Sequence, residues 1–225
     1  MTVIELKTVG KRYERGGRPF WALRNASLTV APGEFVTLFG RSGSGKSTLL
    51  NILVGLLKPT EGDVLFEGKS ILGKTDAEMS AIRNSMIGNV PQGAGILSTL
   101  TVLDNVRLPW YLSARGGEPE GRAQELLETF GLGDLGAQYP SALSGGELRR
   151  VAIARALMCS PRVIVADEPT SSLDRASAAN VVKVLRELAD KGTSVLMVTH
   201  DESSFALTDR FYEMEAGCLS ERPKA

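Results

Sequence analysis

Short apolar runs alternate with polar turns through the first third of the chain, a pattern typical of β-strands. The runs are rich in β-branched residues or alternate with polar ones. Four of them are predicted as strands, at 3–9, 26–30, 34–39 and 63–66. Gly16-Gly17 and Pro32-Gly33 separate the first three and predict turns. The N-terminal region is therefore predicted to be rich in strands.

Helical periodicity appears in the middle of the chain. Over 120–130, apolar residues recur with the i, i+3, i+4, i+7 spacing of one helix face, at Ala123, Leu126, Leu127 and Phe130. Beyond it, apolar strands at 163–166 and 194–199 flank an amphipathic helix at 174–189. Strands that alternate with helices predict a parallel sheet covered on both faces, with ligand-binding loops at the carboxyl ends of its strands.

Composition narrows the classes of partner. Lys plus Arg and Asp plus Glu both number 26, so no net charge favours binding to nucleic acid or to an anionic membrane surface. The longest apolar stretch, at 49–57, is far shorter than the ~20 residues of a membrane span. Glu5 and Lys7 interrupt any signal-peptide pattern, and Cys159 and Cys218 lack metal-ligand spacing. We expect a cytosolic chain with reduced thiols that reaches a membrane only through a partner.

A glycine-rich loop follows the strand at 34–39 and precedes a helix. Residues 40–47 read Gly-Arg-Ser-Gly-Ser-Gly-Lys-Ser, which matches GxxxxGK[ST] in the strand–loop–helix context that this motif requires. Its backbone N–H groups surround phosphates, Lys46 reaches the β- and γ-phosphates, and the Ser47 hydroxyl is a Mg²⁺ ligand. The predicted nucleotide-binding residues are Gly40, Ser42, Gly43, Ser44, Gly45, Lys46, Ser47 and Thr48.

The apolar strand at 163–166 ends in two carboxylates, Asp167 and Glu168. One acid at this place can hold Mg²⁺, and its neighbour can polarise an attacking water as a general base. Adjacent acids are also common at a solvated strand end. The phosphate loop favours the catalytic interpretation, with Asp167 at the metal and Glu168 as the base.

A second glycine-rich turn, Leu-Ser-Gly-Gly-Glu at 143–147, opens another helix. Its exposed N–H groups and the helix dipole form a further anion site at Ser144, Gly145 and Gly146. One chain with one nucleotide does not need two such sites. Two chains packed head to tail do, because each turn then closes over the phosphates of the other chain. We therefore expect a second ATPase subunit, most simply an identical one.

In this order and spacing, the motifs resemble those of the ATP-binding cassette (ABC) ATPases over essentially the whole chain. The resemblance implies ATP and Mg²⁺ as cofactors. It also implies an α/β fold, with a P-loop NTPase core built on a parallel sheet, an N-terminal antiparallel β subdomain and an inserted α-helical subdomain. We expect one domain over 1–225, its core from 1–92 and 158–225, and its helical subdomain from 93–157.

Two more residues follow predicted strands at the same edge of the sheet. His200, the one histidine of the chain, comes after 194–199, where its imidazole can donate to the γ-phosphate and orient Glu168. Gln92 follows a short strand at 86–90, and its amide can ligate Mg²⁺ or position water. Taken alone, a single histidine is more often a surface or helix-capping residue, and Gln92 is simply part of a turn. The resemblance implies that both are catalytic.

The resemblance assigns two further residues to the nucleotide. It implies that Tyr13 stacks on adenine, with Phe20 and Trp21 as alternatives; such stacking is worth about 1–3 kcal/mol per base. Asp174 is a good N-cap for the helix that follows it. The resemblance also places Asp174 in a loop, 171–174, that crosses the dimer interface and senses the opposite site.

The chain departs from the family pattern at two points. Gln92 is surrounded by Pro91, Gly93 and Gly95, where aromatic residues are frequent in relatives. Arg149 stands where many relatives have glutamine and adds a charge beside the second glycine-rich turn. The sequence does not reveal the effect of either departure.

Within the family, the chain looks most like the branch that serves macrolide efflux and lipoprotein release. The segments that carry this resemblance are 14–23, 97–108 and 165–170. It implies the ATPase subunit of an exporter of lipoprotein, peptide or drug-like substrates. Such a subunit is bound to integral-membrane subunits at the cytoplasmic face of a bacterial inner membrane, with no insertion of its own. Two alternatives share these motifs: a signalling ATPase that regulates cell-wall enzymes in division, and the ATPase of an uptake system.

Overall fold

The computed structural model describes residues 2–93, 95–113, 116–171 and 173–223, except for the side chains of 202 and 203. This part of the chain contains ten strands: β1 (Ile4–Arg15), β2 (Arg18–Val30), β3 (Phe35–Phe39), β4 (Glu61–Phe66), β5 (Lys69–Ser70), β6 (Ile87–Val90), β7 (Val163–Asp167), β8 (Ser194–Thr199), β9 (Arg210–Glu215) and β10 (Cys218–Arg222). It also contains six α-helices: α1 (Lys46–Leu53), α2 (Asp76–Met86), α3 (Val102–Leu112), α4 (Glu120–Thr129), α5 (Gly145–Leu157) and α6 (Arg175–Asp190).

An antiparallel sheet with the order β2-β1-β4-β5 forms the N-terminal layer. Strands β1 and β2 are a single long hairpin, so the predictions of short strands at 3–9 and 26–30 were wrong in extent. Gly16 and Gly17 make its turn with φ angles of 58° and 72°, which glycine adopts at little cost. The outer half of the hairpin is mostly exposed, so its residues do not alternate between a buried and a solvent face. Its pairing therefore leaves no hydrophobic pattern in the sequence.

The second sheet has the order β10-β9-β3-β8-β7-β6. Strands β9, β3, β8, β7 and β6 run parallel, and β10 adds an antiparallel edge. The predicted parallel sheet is thus confirmed. Because β3, β8, β7 and β6 are consecutive neighbours, the residues that follow their carboxyl ends lie along one edge. These are the glycine-rich loop, His200, Glu168 and the Gln92 turn.

Alternate residues along the parallel strands face two different cores, as the period of two in a strand requires. Val36 and Val165 belong to a cluster shared with α1 and the antiparallel sheet, while Phe35 and Ile164 belong to a cluster on the other face. This second cluster runs continuously from α3 and α4 through α5 to the sheet and α6. In the described part of the chain, no helix combines the length and hydrophobicity that a membrane span requires.

The helices at 120–130 and 174–189 were predicted to within one residue at each end, as α4 and α6. Helix α2 was missed, although Thr75 and Glu78 form the capping box that marks its start. Buried Asn105 in α3 was also missed. Its amide donates to the carbonyls of Leu97, Leu100 and Thr101, which holds the segment before the helix in place.

Candidate functional site

The glycine-rich loop joins β3 to the N-terminus of α1. Gly45, the residue before the helix, has a φ of 113°, and Lys46 is the first helical residue. Lys46 is 7% exposed, and its Nζ donates to the carbonyl oxygens of Gly40 and Arg41 at 2.6 and 2.9 Å. A buried ammonium and the N-terminus of a helix at the same point give the loop a positive potential that suits phosphate oxygens.

The loop is packed so closely that two of its glycines leave no room for a side chain. A Cβ at Gly45 would lie 2.5 Å from the carbonyl oxygen of Ala22 in β2, and one at Gly40 would overlap the carbonyl oxygen of Met214 in β9. The hydroxyl of Ser44 is buried without a hydrogen-bond partner among the described residues. A cradle of bare backbone with an unpaired hydroxyl fits an oxygen-rich anion such as the phosphates of ATP.

We expect Gly45→Ala to destabilise the chain by about 2–4 kcal/mol, because it adds a backbone clash to a φ angle that alanine avoids. Urea unfolding monitored by circular dichroism measures this free energy. The matched control is Gly121→Ala in α4, where a Cβ meets nothing within 4 Å. It should stabilise the chain by about 0.5–1 kcal/mol, as alanine does in a helix. Equal stabilities for the two variants would contradict the close packing.

Three residues from separate parts of the sequence meet at the carboxyl edge of the sheet. Glu168 follows β7 with a φ of 46°, and its side chain is 19% exposed. Its Oε2 accepts a hydrogen bond from Gln92 Nε2 at 3.3 Å, and its Oε1 lies 3.4 Å from His200 Nδ1. The structure therefore brings together the three residues that the sequence analysis selected as catalytic. A carboxylate held by an amide and an imidazole can orient and deprotonate a water molecule.

Asp167, at the end of β7, is half-buried beside this group. Burial raises the pKa of its carboxyl, the neighbouring Glu168 raises it further, and Lys46 and Arg149 oppose the shift. A divalent cation would favour the ionised form. Ser47 and Gln92 line the same cleft as Asp167. No group of three or more His, Cys, Asp and Glu side chains with metal-binding geometry occurs among the described residues, so a Mg²⁺ here would need phosphate or water oxygens to complete its shell.

A cleft of about 580 Å³ connects these groups with the aromatic residues of the hairpin. Tyr13, Phe20 and Trp21, the three candidates for the base, all line it. Tyr13 and Phe20 are cross-strand partners with ring centroids 5.8 Å apart and planes inclined by 27°. The cleft thus has an aromatic end suited to a base and a polar end suited to phosphates.

Residues that the sequence analysis missed also line this cleft: Arg24, Ala216 and Gly217. The Gly217 amide donates to the Ser44 carbonyl at 2.9 Å, and a Cβ at Gly217 would lie 2.8 Å from the Ala22 carbonyl oxygen. The turn between β9 and β10 therefore supports the phosphate loop from the side. The Ala-Gly pair signals a turn in the sequence, but nothing there connects it to the phosphate loop.

Ser144 is the N-cap of α5. It forms a capping box with Glu147, and the hydrogen bonds from Ser144 lower the pKa of the Glu147 carboxyl. Ser144 and Gly145 are exposed, and Gly146 is half-buried. None of these three is among the described residues that line the cleft of the same chain.

Asp174 caps α6 and accepts hydrogen bonds from the amides of Ala176 and Ser177, so the expected N-cap is present. It too is absent from the described residues that line the cleft. The assignments of 144–146 and Asp174 to ATP therefore stay predictions about a second chain. Ser172, in the same loop as Asp174, lies outside the described residues.

Comparisons with known proteins agree with this geometry. The family described as "ABC transporter" matches residues 23–171. The lipoprotein-releasing system ATP-binding protein LolD of Alcanivorax borkumensis is 43% identical over 221 residues, 96% of each chain. The macrolide export ATP-binding/permease protein MacB of Wolinella succinogenes is 40% identical, over 98% of this chain and 34% of that protein. The methionine import ATP-binding protein MetN of Latilactobacillus sakei is 41% identical, over 97% of this chain and 64% of that protein.

A solved structure of the ATP-binding cassette MJ0796, described as dimeric, in a post-hydrolysis state and bound to ADP and Pi, has the same fold. Its TM-score is 0.90 at 37% sequence identity, over 99% of this chain and 100% of that one. With this fold, the phosphate loop and the carboxylates at the sheet edge, the chain is an ATPase that uses ATP and Mg²⁺. It belongs to the ABC transporter family.

Proposed function

We propose that this chain is the ATP-hydrolysing subunit of an extrusion system for lipoprotein, peptide or drug-like substrates. It acts at the cytoplasmic face of a bacterial inner membrane, bound to integral-membrane subunits. The single observation that best supports ATP hydrolysis is that Glu168 contacts both Gln92 and His200 beside the phosphate loop. The direction of transport is supported by the similarity to LolD and MacB and by the resemblance of 97–108 to their branch.

Within the cleft, each residue has a separate proposed role. Lys46 and the loop amides bind the β- and γ-phosphates, and the aromatic pair of Tyr13 and Phe20 stacks on adenine. Ser47, Gln92 and Asp167 would hold Mg²⁺, which would neutralise developing phosphate charge. The remaining phosphate-loop residues, Gly40, Ser42, Gly43, Ser44, Gly45 and Thr48, line the phosphates with backbone and hydroxyl donors.

Hydrolysis depends on the position of Glu168. Its carboxylate accepts the proton of the attacking water, while the Gln92 amide and the His200 imidazole restrict its orientation from either side. His200 is 66% exposed at its side chain, so its ring has space to contact the γ-phosphate. All three side chains come from loops that begin at neighbouring strands, which limits their relative motion.

Two chains form the complete site. Ser144 and Gly145 are exposed and are not among the described residues that line the nucleotide cleft of their own chain. A second copy placed head to tail would present this helix end to the γ-phosphate. Asp174 reaches the same interface. ATP then favours the closed pair over the open one, a population shift that hydrolysis reverses. The segment 93–157, as a helical subdomain, transmits closure to the membrane subunits.

Capture of the membrane partner tests this function. The full chain carrying Glu168→Gln, tagged and isolated from detergent-solubilised membranes with ATP and Mg²⁺, should retain the partner because the closed pair cannot reopen by hydrolysis. We expect a four-span protein with a large extracytoplasmic domain. The same capture with ADP is the control, and we expect the membrane partner not to be retained there.

Other captured partners would overturn the proposal in distinct ways. A many-span permease would replace extrusion with uptake, the activity named for MetN. A division-associated membrane protein would make the chain a signalling ATPase. Loss of every membrane partner under ATP would leave the ATPase without a transport role.

A further inference from the structure

Arg149, the residue that departs from the glutamine of many relatives, is buried in the second turn of α5. It is 5% exposed. Its Nη1 donates to the Pro91 carbonyl at 3.0 Å, and its Nη2 donates to the Ser171 hydroxyl at 3.4 Å. One side chain therefore contacts two loops that are 80 residues apart in the sequence.

These two loops carry the residues that meet in the site. Pro91 directly precedes Gln92. The Ser171 hydroxyl donates to the Glu168 carbonyl at 2.9 Å, and the Ser171 amide donates to the same oxygen at 3.1 Å. The guanidinium of Arg149 thus contacts the backbone directly before Gln92 and is connected to the Glu168 carbonyl through the Ser171 hydroxyl.

The same helix also holds the other end of the Gln92 loop. Arg155, six residues after Arg149, donates from Nη1 to the Gly95 carbonyl at 2.7 Å. Gly93 has a φ of 77°, is exposed, and a Cβ there would meet nothing within 4 Å. A loop with glycines around Gln92 has few side chains of its own to pack, so its position depends on anchors from elsewhere. Arg149 and Arg155 of α5 supply such anchors.

The chemistry of arginine suits this bridge better than that of glutamine. A guanidinium carries five N–H donors in a rigid fork and can donate to two acceptors at once. A glutamine side chain is shorter and has two N–H donors on one nitrogen. The two departures from the family pattern, Arg149 and the glycines around Gln92, are therefore neighbours in the structure, because Arg149 donates to the carbonyl of the residue before Gln92.

We propose that Arg149 is a positioning residue for ATP hydrolysis, which holds the Gln92 loop in register with the Glu168 turn and links both to α5. Because α5 begins at the Ser144 turn, movement of that helix on dimer closure would pull directly on the backbone before Gln92. The inference rests on the proposed roles of Gln92 and Glu168.

Steady-state kinetics of Arg149→Gln in the full chain test the inference. We expect kcat to fall roughly tenfold and KM for ATP to change less than about twofold, because a misplaced catalytic group costs rate more than ground-state binding. Arg122→Gln removes an equal charge from the exposed face of α4, where Arg122 pairs with Glu125, and should leave both constants unchanged.

The double variant with Gln92→Ala separates positioning from general destabilisation. If Arg149 acts through Gln92, the double variant should be no slower than Gln92→Ala alone. The positioning role would be overturned if the double variant lost kcat by the product of the two single losses. An unchanged kcat in Arg149→Gln would also overturn it. Glu168→Gln, measured in parallel, tests the proposed role of Glu168 separately, because hydrolysis near the wild-type rate in that variant would show that Glu168 is not the general base.

Discussion

Glu168→Gln should hydrolyse ATP roughly 10²–10⁴-fold more slowly than the wild type, the usual range for loss of a general base. The substitution keeps the shape of the side chain and one oxygen that can accept from Gln92, so the cleft should still bind ATP. What it removes is the negative charge and the proton acceptor. Phosphate release in a single turnover measures the rate, and a fluorescent ATP analogue measures the affinity.

The control for this variant is Glu125→Gln on α4. Glu125 forms an exposed ion pair with Arg122 and lies outside the cleft, so its rate should stay within about twofold of the wild type, as for most surface substitutions. A Glu168→Gln rate within about tenfold of the wild type would show that another group activates the water. His200 and Asp167 would then be the candidates, since both lie beside Glu168.

Ser144→Arg should abolish ATP-dependent dimerisation and leave the affinity of the single chain for ATP unchanged. The new side chain projects from the exposed end of α5, where the proposed pair requires close approach to the γ-phosphate of the other chain. The cleft of the same chain does not include Ser144 among its described lining residues, which is why binding should persist. Size-exclusion chromatography with light scattering, in the Glu168→Gln background with ATP, measures the dimer.

Ser144→Ala separates the steric effect from the lost cap. It removes the hydroxyl that caps α5, at a cost of about 1 kcal/mol to the helix, without adding bulk. We expect this variant to dimerise, though more weakly. If Ser144→Arg still forms the dimer with ATP, the cross-chain role of 144–146 is wrong.

The sequence determined the features that depend on local backbone chemistry. The phosphate loop, the second glycine-rich turn and the paired carboxylates were visible in this order because each needs particular residues at adjacent positions. Helices α4 and α6 were predicted closely since apolar residues follow the helical period, and Asp174 marks the start of α6. The long hairpin was underestimated because exposed strands pair through their backbones, which leaves no hydrophobic signature.

The contacts that complete the site were decided by the tertiary structure. The sheet places β6 beside β7 and β7 beside β8, although helices separate these strands in the sequence, and so brings Gln92 and His200 to opposite sides of Glu168. Arg149 reaches Pro91 across 58 positions of sequence. The carbonyl of Ala22 explains why Gly45 must lack a side chain. The last two contacts involve backbone carbonyls, which every residue possesses, so only the folded arrangement of the chain specifies them.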